Sequence, residues 1–103
     1  MLTFDLCRSW LEKRADHLRG LGINAELRPG SAVTETQPKP KHEFRIRTCA
    51  MLASFTIWSS GECDWDIMDV RTTLWIEHRW GLALDDATLP DAFEIFEARA
   101  ISG

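Results

Sequence analysis

No tyrosine occurs among the 103 residues, and no apolar run is long enough to cross a membrane. The longest, "CAMLA" at Cys49–Ala53, falls far short of the roughly 20 residues that a bilayer span requires. The opening "MLTFDLCRSWLEKRADHLRG" scatters charge where a secretory signal would be apolar, so no such signal is expected. Cysteine is scarce: Cys7, Cys49 and Cys63 make an odd count at wide spacing. That argues against a disulfide framework and reads as reduced thiols in a cytoplasmic protein. His17, His42 and His78 fall on separate segments, and neither C-x-x-C nor H-x-x-x-H spacing occurs. No metal and no cofactor are therefore expected.

Lysine is missing from residue 51 onward. Residues 1–50 carry nine Lys and Arg against six acids, whereas residues 51–103 carry three Arg against ten acids, a net −7. An acidic half of this strength argues against direct contact with nucleic acid and suits a basic protein partner.

What is present suffices for one core. Apolar residues make up 45%, and five Trp with five Phe supply the bulk. The whole chain, 1–103, reads as a single domain. Cys7, Trp10, Leu11, Ala15 and Leu18 recur at helical spacing behind a capping Thr3, and Gly20 and Gly22 end that helix. Ile23, Ala25 and Leu27 alternate with polar residues in a short strand. Residues 30–42, with Pro38 and Pro40, read as a mobile loop. "EFRIRT" and "LASFTIW" follow as strands. Finally Leu89, Ala92, Phe93, Phe96 and Ala100 mark a closing helix, with Thr88 and Asp91 at capping-box spacing. The expected fold class is α+β: an antiparallel sheet of four to five strands packed by an N-terminal and a C-terminal helix.

The stretch "SSGECDWDIMDV", residues 59–70, places Glu62, Asp64, Asp66 and Asp69 around Cys63, Trp65 and Ile67. Its odd-numbered apolar row continues that of Ala53, Phe55 and Ile57. A three-residue turn, Ser59–Gly61, brings the two rows to one side, with Ile57 facing Cys63 and Phe55 facing Trp65. Thr56 then faces Asp64, and Ser54 faces Asp66. In the next strand, "LWIEHRW", Leu74, Ile76 and Trp80 are expected inside, with Trp75, Glu77 and Arg79 outside and Arg79 opposite Asp64.

Several readings of the acidic stripe compete. A calcium loop counted from Asp64 fails, because Asp69 stands where glycine is needed and Trp75 where glutamate is. Catalysis by Asp64 and Asp66 lacks a nucleophile with a base beside it. A solvated face with cross-strand charge pairs explains the acids, each pair contributing only roughly 0.2–1 kcal/mol. It leaves Trp58 and Trp75 on a polar face, either covered by the 30–42 loop or awaiting a partner. Tryptophan among acids is the composition of a protein-binding hot spot.

"FTIWSSGECDWDIMDV", then "EH" in the following strand, then a closing amphipathic helix, resembles the TriTu family of bacterial immunity proteins. The resemblance rests on Trp58, Gly61, Glu62, Asp64 and Asp69, and on the opening helix and element order; residues 30–42 show no match. It implies a small cytoplasmic protein of a polymorphic toxin or contact-dependent inhibition system. Such a protein binds the C-terminal toxin domain of its cognate partner and has no catalytic residues. The expected partner-binding residues are Trp58, Glu62, Asp64, Asp66, Asp69, Trp75 and Glu77. A nuclease would be a fitting toxin for the acidic half. A small ligand-binding or enzymatic domain, using a cleft between sheet and loop, stands as the alternative.

Overall fold

The computed structural model describes residues 2–29 and 40–102. Its elements are α1 (Phe4–Gly20), β1 (Asn24–Pro29), β2 (Lys41–Arg47), β3 (Met51–Trp58), β4 (Glu62–Asp69), β5 (Leu74–Ala83) and α2 (Leu89–Ser102). The strands form one antiparallel sheet in chain order, β1-β2-β3-β4-β5, and every neighbouring pair is antiparallel. This is the α+β architecture expected from the residue pattern.

Period-two alternation decides which face is buried. Ala25, Phe44, Ile46, Ala53, Phe55, Ile57, Cys63, Trp65 and Ile67 are all buried on one side. The helices cover that side: α1 lies on β1 and α2 crosses β2, β3 and β4. α1 contributes Cys7, Leu11, Ala15 and Leu18, and α2 contributes Leu89, Phe93, Phe96 and Ala100. Phe93 is the hub. Its ring centroid lies 5.2 Å from that of Trp10, 4.9 Å from Phe44, 5.1 Å from Phe55 and 5.6 Å from Phe96. Arg14 of α1 grips Glu97 of α2 with two nitrogens, the Nε bond being 3.2 Å. Burial holds the Cys7 thiol protonated, its pKa pushed up to about 12, and pushes Cys63 up as well. Both act as packing groups.

The β3–β4 hairpin keeps the expected register: Ile57 faces Cys63, Phe55 faces Trp65, Thr56 faces Asp64 and Ser54 faces Asp66. Gly61 has φ +91° and donates its N–H to the Trp58 carbonyl at 2.9 Å. Only the third residue of this turn needs the left-handed region, and glycine enters it without strain. Gly22, at φ +82°, does the same after α1.

Four local expectations are corrected. First, β2 begins at Lys41, so the proline-rich loop does not extend to residue 42; residues 30–39 lie outside those described. Second, Thr3 stands at the start of α1 but makes no side-chain cap; its hydroxyl donates to Asp86 at 2.6 Å and ties the helix to the β5–α2 connection. Third, the capping box of α2 sits one turn earlier than Thr88 and Asp91 suggested. Asp85 accepts from the Thr88 N–H at 2.8 Å, while the Thr88 hydroxyl accepts from the Asp85 N–H at 2.8 Å.

The fourth correction concerns β5. Leu74, Ile76 and Trp80 are not inside; they are 66%, 54% and 69% exposed. Glu77 pairs opposite Ile67 and Arg79 opposite Trp65, on the helix side, so Arg79 does not face Asp64. Register shifts between Ile67 and Met68, and between Cys63 and Trp65, move β5 by one residue each time. The cause is Trp65. Its indole is buried, and a buried N–H without an acceptor is costly. Glu77 supplies the acceptor at 2.7 Å, and Arg99 of α2 in turn binds Glu77. The Arg79 guanidinium lies 5.9 Å from the Trp65 ring centre.

Among the described residues His42 is the one buried polar residue, 2% exposed and stacked on Phe4 at 3.7 Å. Its Nε2 lies 3.2 Å from the Phe4 carbonyl, so Nε2 carries the proton and donates; Nδ1 has no partner among the described residues. Desolvation by burial, the largest cause, lowers its pKa from the usual value, and Arg8 adds to it; the Phe4 bond, Asp5 and Glu12 act the other way. Below about pH 6.5 the unfolded chain therefore takes up a proton that the folded chain resists. Stability contributed here is complete above that pH and falls as the solution is acidified. We expect the melting temperature to drop between pH 7 and pH 5, and His42→Gln, which keeps a donor for Phe4 without titrating, to flatten that drop. Equal slopes for the two proteins would show that His42 does not govern this window. Asp69, Asp85 and Asp86, whose carboxyls are held below the usual range by hydrogen bonds, act lower, below about pH 4.

Candidate functional site

The face of the sheet turned away from the helices carries the polar residues. Register places Glu26, Arg45, Ser54, Asp66 and His78 in one row across all five strands. Arg28, Glu43, Thr56 and Asp64 form the next row, and Lys41 stands opposite Trp58. On the β1–β2 side, charges are neutralised locally: Arg28 binds Glu26 at 3.1 Å and Arg45 binds Glu43 at 2.7 Å.

The β4–β5 side is different. Asp66 Oδ1 takes the Nδ1 of His78 and, at 3.3 Å, the indole N–H of Trp80. Trp75 and Trp80 flank His78, with ring centroids 4.6 and 5.2 Å away. Asp64 accepts the backbone N–H of Gly81 at 3.0 Å and so holds the second bulge of β5 in place. Beside this cluster runs an open groove of about 230 Å³ lined by Glu43, Arg45, Leu52, Ser54, Asp66 and Trp75.

The residues singled out from the sequence thus separate. Asp64, Asp66 and Trp75 share the open face, where Asp66 and Trp75 line the groove; Trp75 is 56% exposed. Trp58, half-buried, and Glu62, exposed, lie toward the hairpin end. Asp69 sits at the opposite end and serves its own turn: it accepts the Arg71 N–H at 2.9 Å and pairs with the Arg71 guanidinium at 3.3 Å. Glu77, expected outside, is on the helix side and engaged by Trp65 and Arg99. Two residues of the open face, His78 and Trp80, were missed. The available signal was the indole of Trp65, which had to find an acceptor in the strand beside it.

Ser54, Asp66 and His78 share a row, but in the wrong order for acyl transfer. The histidine must stand between serine and carboxylate to move a proton. Here the aspartate is in the middle, and His78 is two strand spacings, roughly 9–10 Å, from Ser54. Among the described residues no group of three or more His, Cys, Asp or Glu is placed to hold a metal ion. The expected cleft between sheet and loop involves residues 30–39, outside those described. None of the described helices is long and apolar enough to cross a membrane.

The open face presents aromatic area, carboxylates and a shallow groove on one sheet. Neither a curated protein nor a solved structure matches the chain. One family model does, that of the immunity protein TriTu, over residues 5–96.

Proposed function

The chain belongs to the TriTu immunity protein family, and from that premise we propose that it binds one cognate toxin domain and neutralises it in the cytoplasm of the bacterium that makes both. The observation that carries this reading is the family match over most of the chain. The net −7 of residues 51–103 supports a basic toxin surface as the target, of the kind a nuclease presents to phosphates. The toxin then belongs to a polymorphic or contact-dependent system and carries this domain at its C-terminus. The contact residues proposed are Trp58, Glu62, Asp64, Asp66 and Trp75 on the open face. Asp69 and Glu77 are left out because the register turns both to the helix side of the sheet, Asp69 opposite Met51 and Glu77 opposite Ile67.

The direct test is growth. A toxin domain found encoded beside this gene should arrest cells when expressed, and co-expression of this protein should restore them. Unrestored growth, with both proteins made, would sink the proposal. The charge contribution is separable. Asp64→Asn with Asp66→Asn keeps both acceptors for Gly81, His78 and Trp80 while removing two negative charges. The association rate at low salt should fall roughly tenfold, with little change in melting temperature, and the difference should shrink at high salt. An association rate indifferent to both the substitutions and the salt would place the contact elsewhere.

A further inference from the structure

The two rims of the sheet are unlike. β1 is six residues long, exposes Asn24, Glu26 and Arg28, ends in proline and lies against α1. Short length, charge and proline are the usual guards of a free edge. β5 is ten residues long, contains neither lysine nor proline, and exposes Leu74, Trp75, Ile76 and Trp80. Its bulges do not hide the aromatic rings; they bring Trp75, His78 and Trp80 onto the open face around Asp66. Two large, solvent-facing indoles beside one carboxylate call for an occupant.

The carboxylate says which. Both internal hydrogen bonds of Asp66 end on Oδ1, one from His78 and one from Trp80. Oδ2 has no partner among the described residues, and the side chain is one third exposed. Arg45, the nearest cation across Ser54, is already committed to Glu43. An apolar occupant covering the indoles would strip water from Oδ2 and leave it unsatisfied, which is costly. A second copy of this chain would bring its own acidic half against this one. A guanidinium satisfies every demand: its planar face stacks on indole, its edge donates to Oδ2, and its charge is opposite to the field of residues 51–103.

We infer that Trp75, Trp80 and Asp66 form a socket for an arginine side chain of the toxin, and that this arginine anchors the complex at the β5 rim. The inference rests on the toxin-binding reading above and specifies where and by what chemistry the binding occurs. His78 is the spacer that holds the two indoles apart and takes up the other oxygen of Asp66.

The experiment is a binding titration of the intact protein with the toxin domain encoded beside it. Wild type is compared with Trp75→Ala, Trp80→Ala and Trp80→Phe, with thermal melting as the control for folding. Both alanine variants should melt close to wild type, since both side chains are solvent-facing. Each should bind at least about 30-fold more weakly, the loss typical of a hot-spot tryptophan. Trp80→Phe, which keeps a ring face and loses the N–H bond to Asp66, should bind within about fivefold of wild type. Phenylglyoxal should modify one toxin arginine in the free toxin that is shielded in the wild-type complex. Affinity within threefold of wild type in either alanine variant overturns the socket, because it needs both walls. So does a Trp80→Phe as weak as Trp80→Ala, or a complex in which no toxin arginine is shielded. In each of those cases toxin neutralisation stands if wild type binds and protects. Absence of binding by wild type overturns both readings together.

Discussion

Phe93→Ala should lower the free energy of unfolding by about 3–5 kcal/mol, the range for removing a fully buried phenylalanine. The ring is completely buried and sits among Trp10, Phe44, Phe55 and Phe96. Those neighbours belong to α1, β2, β3 and α2, so no single element can move to close the gap. Edge-to-face contacts with three of the rings are lost as well. A domain of this size has a total stability on the order of 5–15 kcal/mol, so the variant should lie near the limit of folding at 37 °C. Denaturant unfolding measures it: the midpoint should fall sharply with little change in slope. A midpoint close to that of wild type would mean that α2 does not seat on the sheet through this residue.

Gly61→Ala should cost about 3 kcal/mol, although it adds one methyl group. Two penalties combine. The φ of +91° is strained for alanine by roughly 1–3 kcal/mol. A Cβ there would also lie 2.4 Å from the Leu84 carbonyl oxygen, a backbone atom that cannot rotate away. Relief requires the β5–α2 connection to move off the hairpin turn. That would stretch the 2.8 Å bond from the Leu84 N–H to the Gly61 carbonyl. Melting should fall by roughly 10–20 °C for a chain of this length. Gly20→Ala is the control. Gly20 lies at the end of α1, where an added Cβ would meet nothing within 4 Å, so alanine should be neutral or stabilising by about 0.5–1 kcal/mol. If Gly61→Ala melts with the Gly20 variant, the close approach of Leu84 to the turn is not a feature of the folded protein.

Gly61 also shows how far local reading reaches. Its place as third residue of a three-residue turn follows from the parity of two apolar rows, and the positive φ follows from the turn. The contact with Leu84 does not, because it joins positions 23 residues apart and depends on the path of β5. The same division runs through the candidate site. Asp64 and Asp66 were legible as open-face residues because their strand is regular and central. Their hydrogen bonds to Gly81, His78 and Trp80 were not legible, because those residues lie beyond the register shifts. Thr3 is a similar case. Its sequence position suits a cap, yet its hydroxyl goes to Asp86, an acceptor brought near only by folding.

Helical and strand periodicities are local properties, set by where successive side chains point, so the chain's own residues determined both helices, the alternating rows of β2, β3 and β4, and the register of the central hairpin. The faces of β5 were decided by the tertiary structure. A bulge inserts one residue and reverses every later side chain; Gly81, at φ +71°, marks the second bulge of β5, but nothing in the strand's composition announces the first. What fixed the bulges was the need of a buried indole, Trp65, for an acceptor in Glu77, together with the grip of Asp64 on Gly81. That need turned Glu77 inward and sent Trp80 outward, and it set the aromatic rim beside Asp66 on which partner binding is proposed to depend.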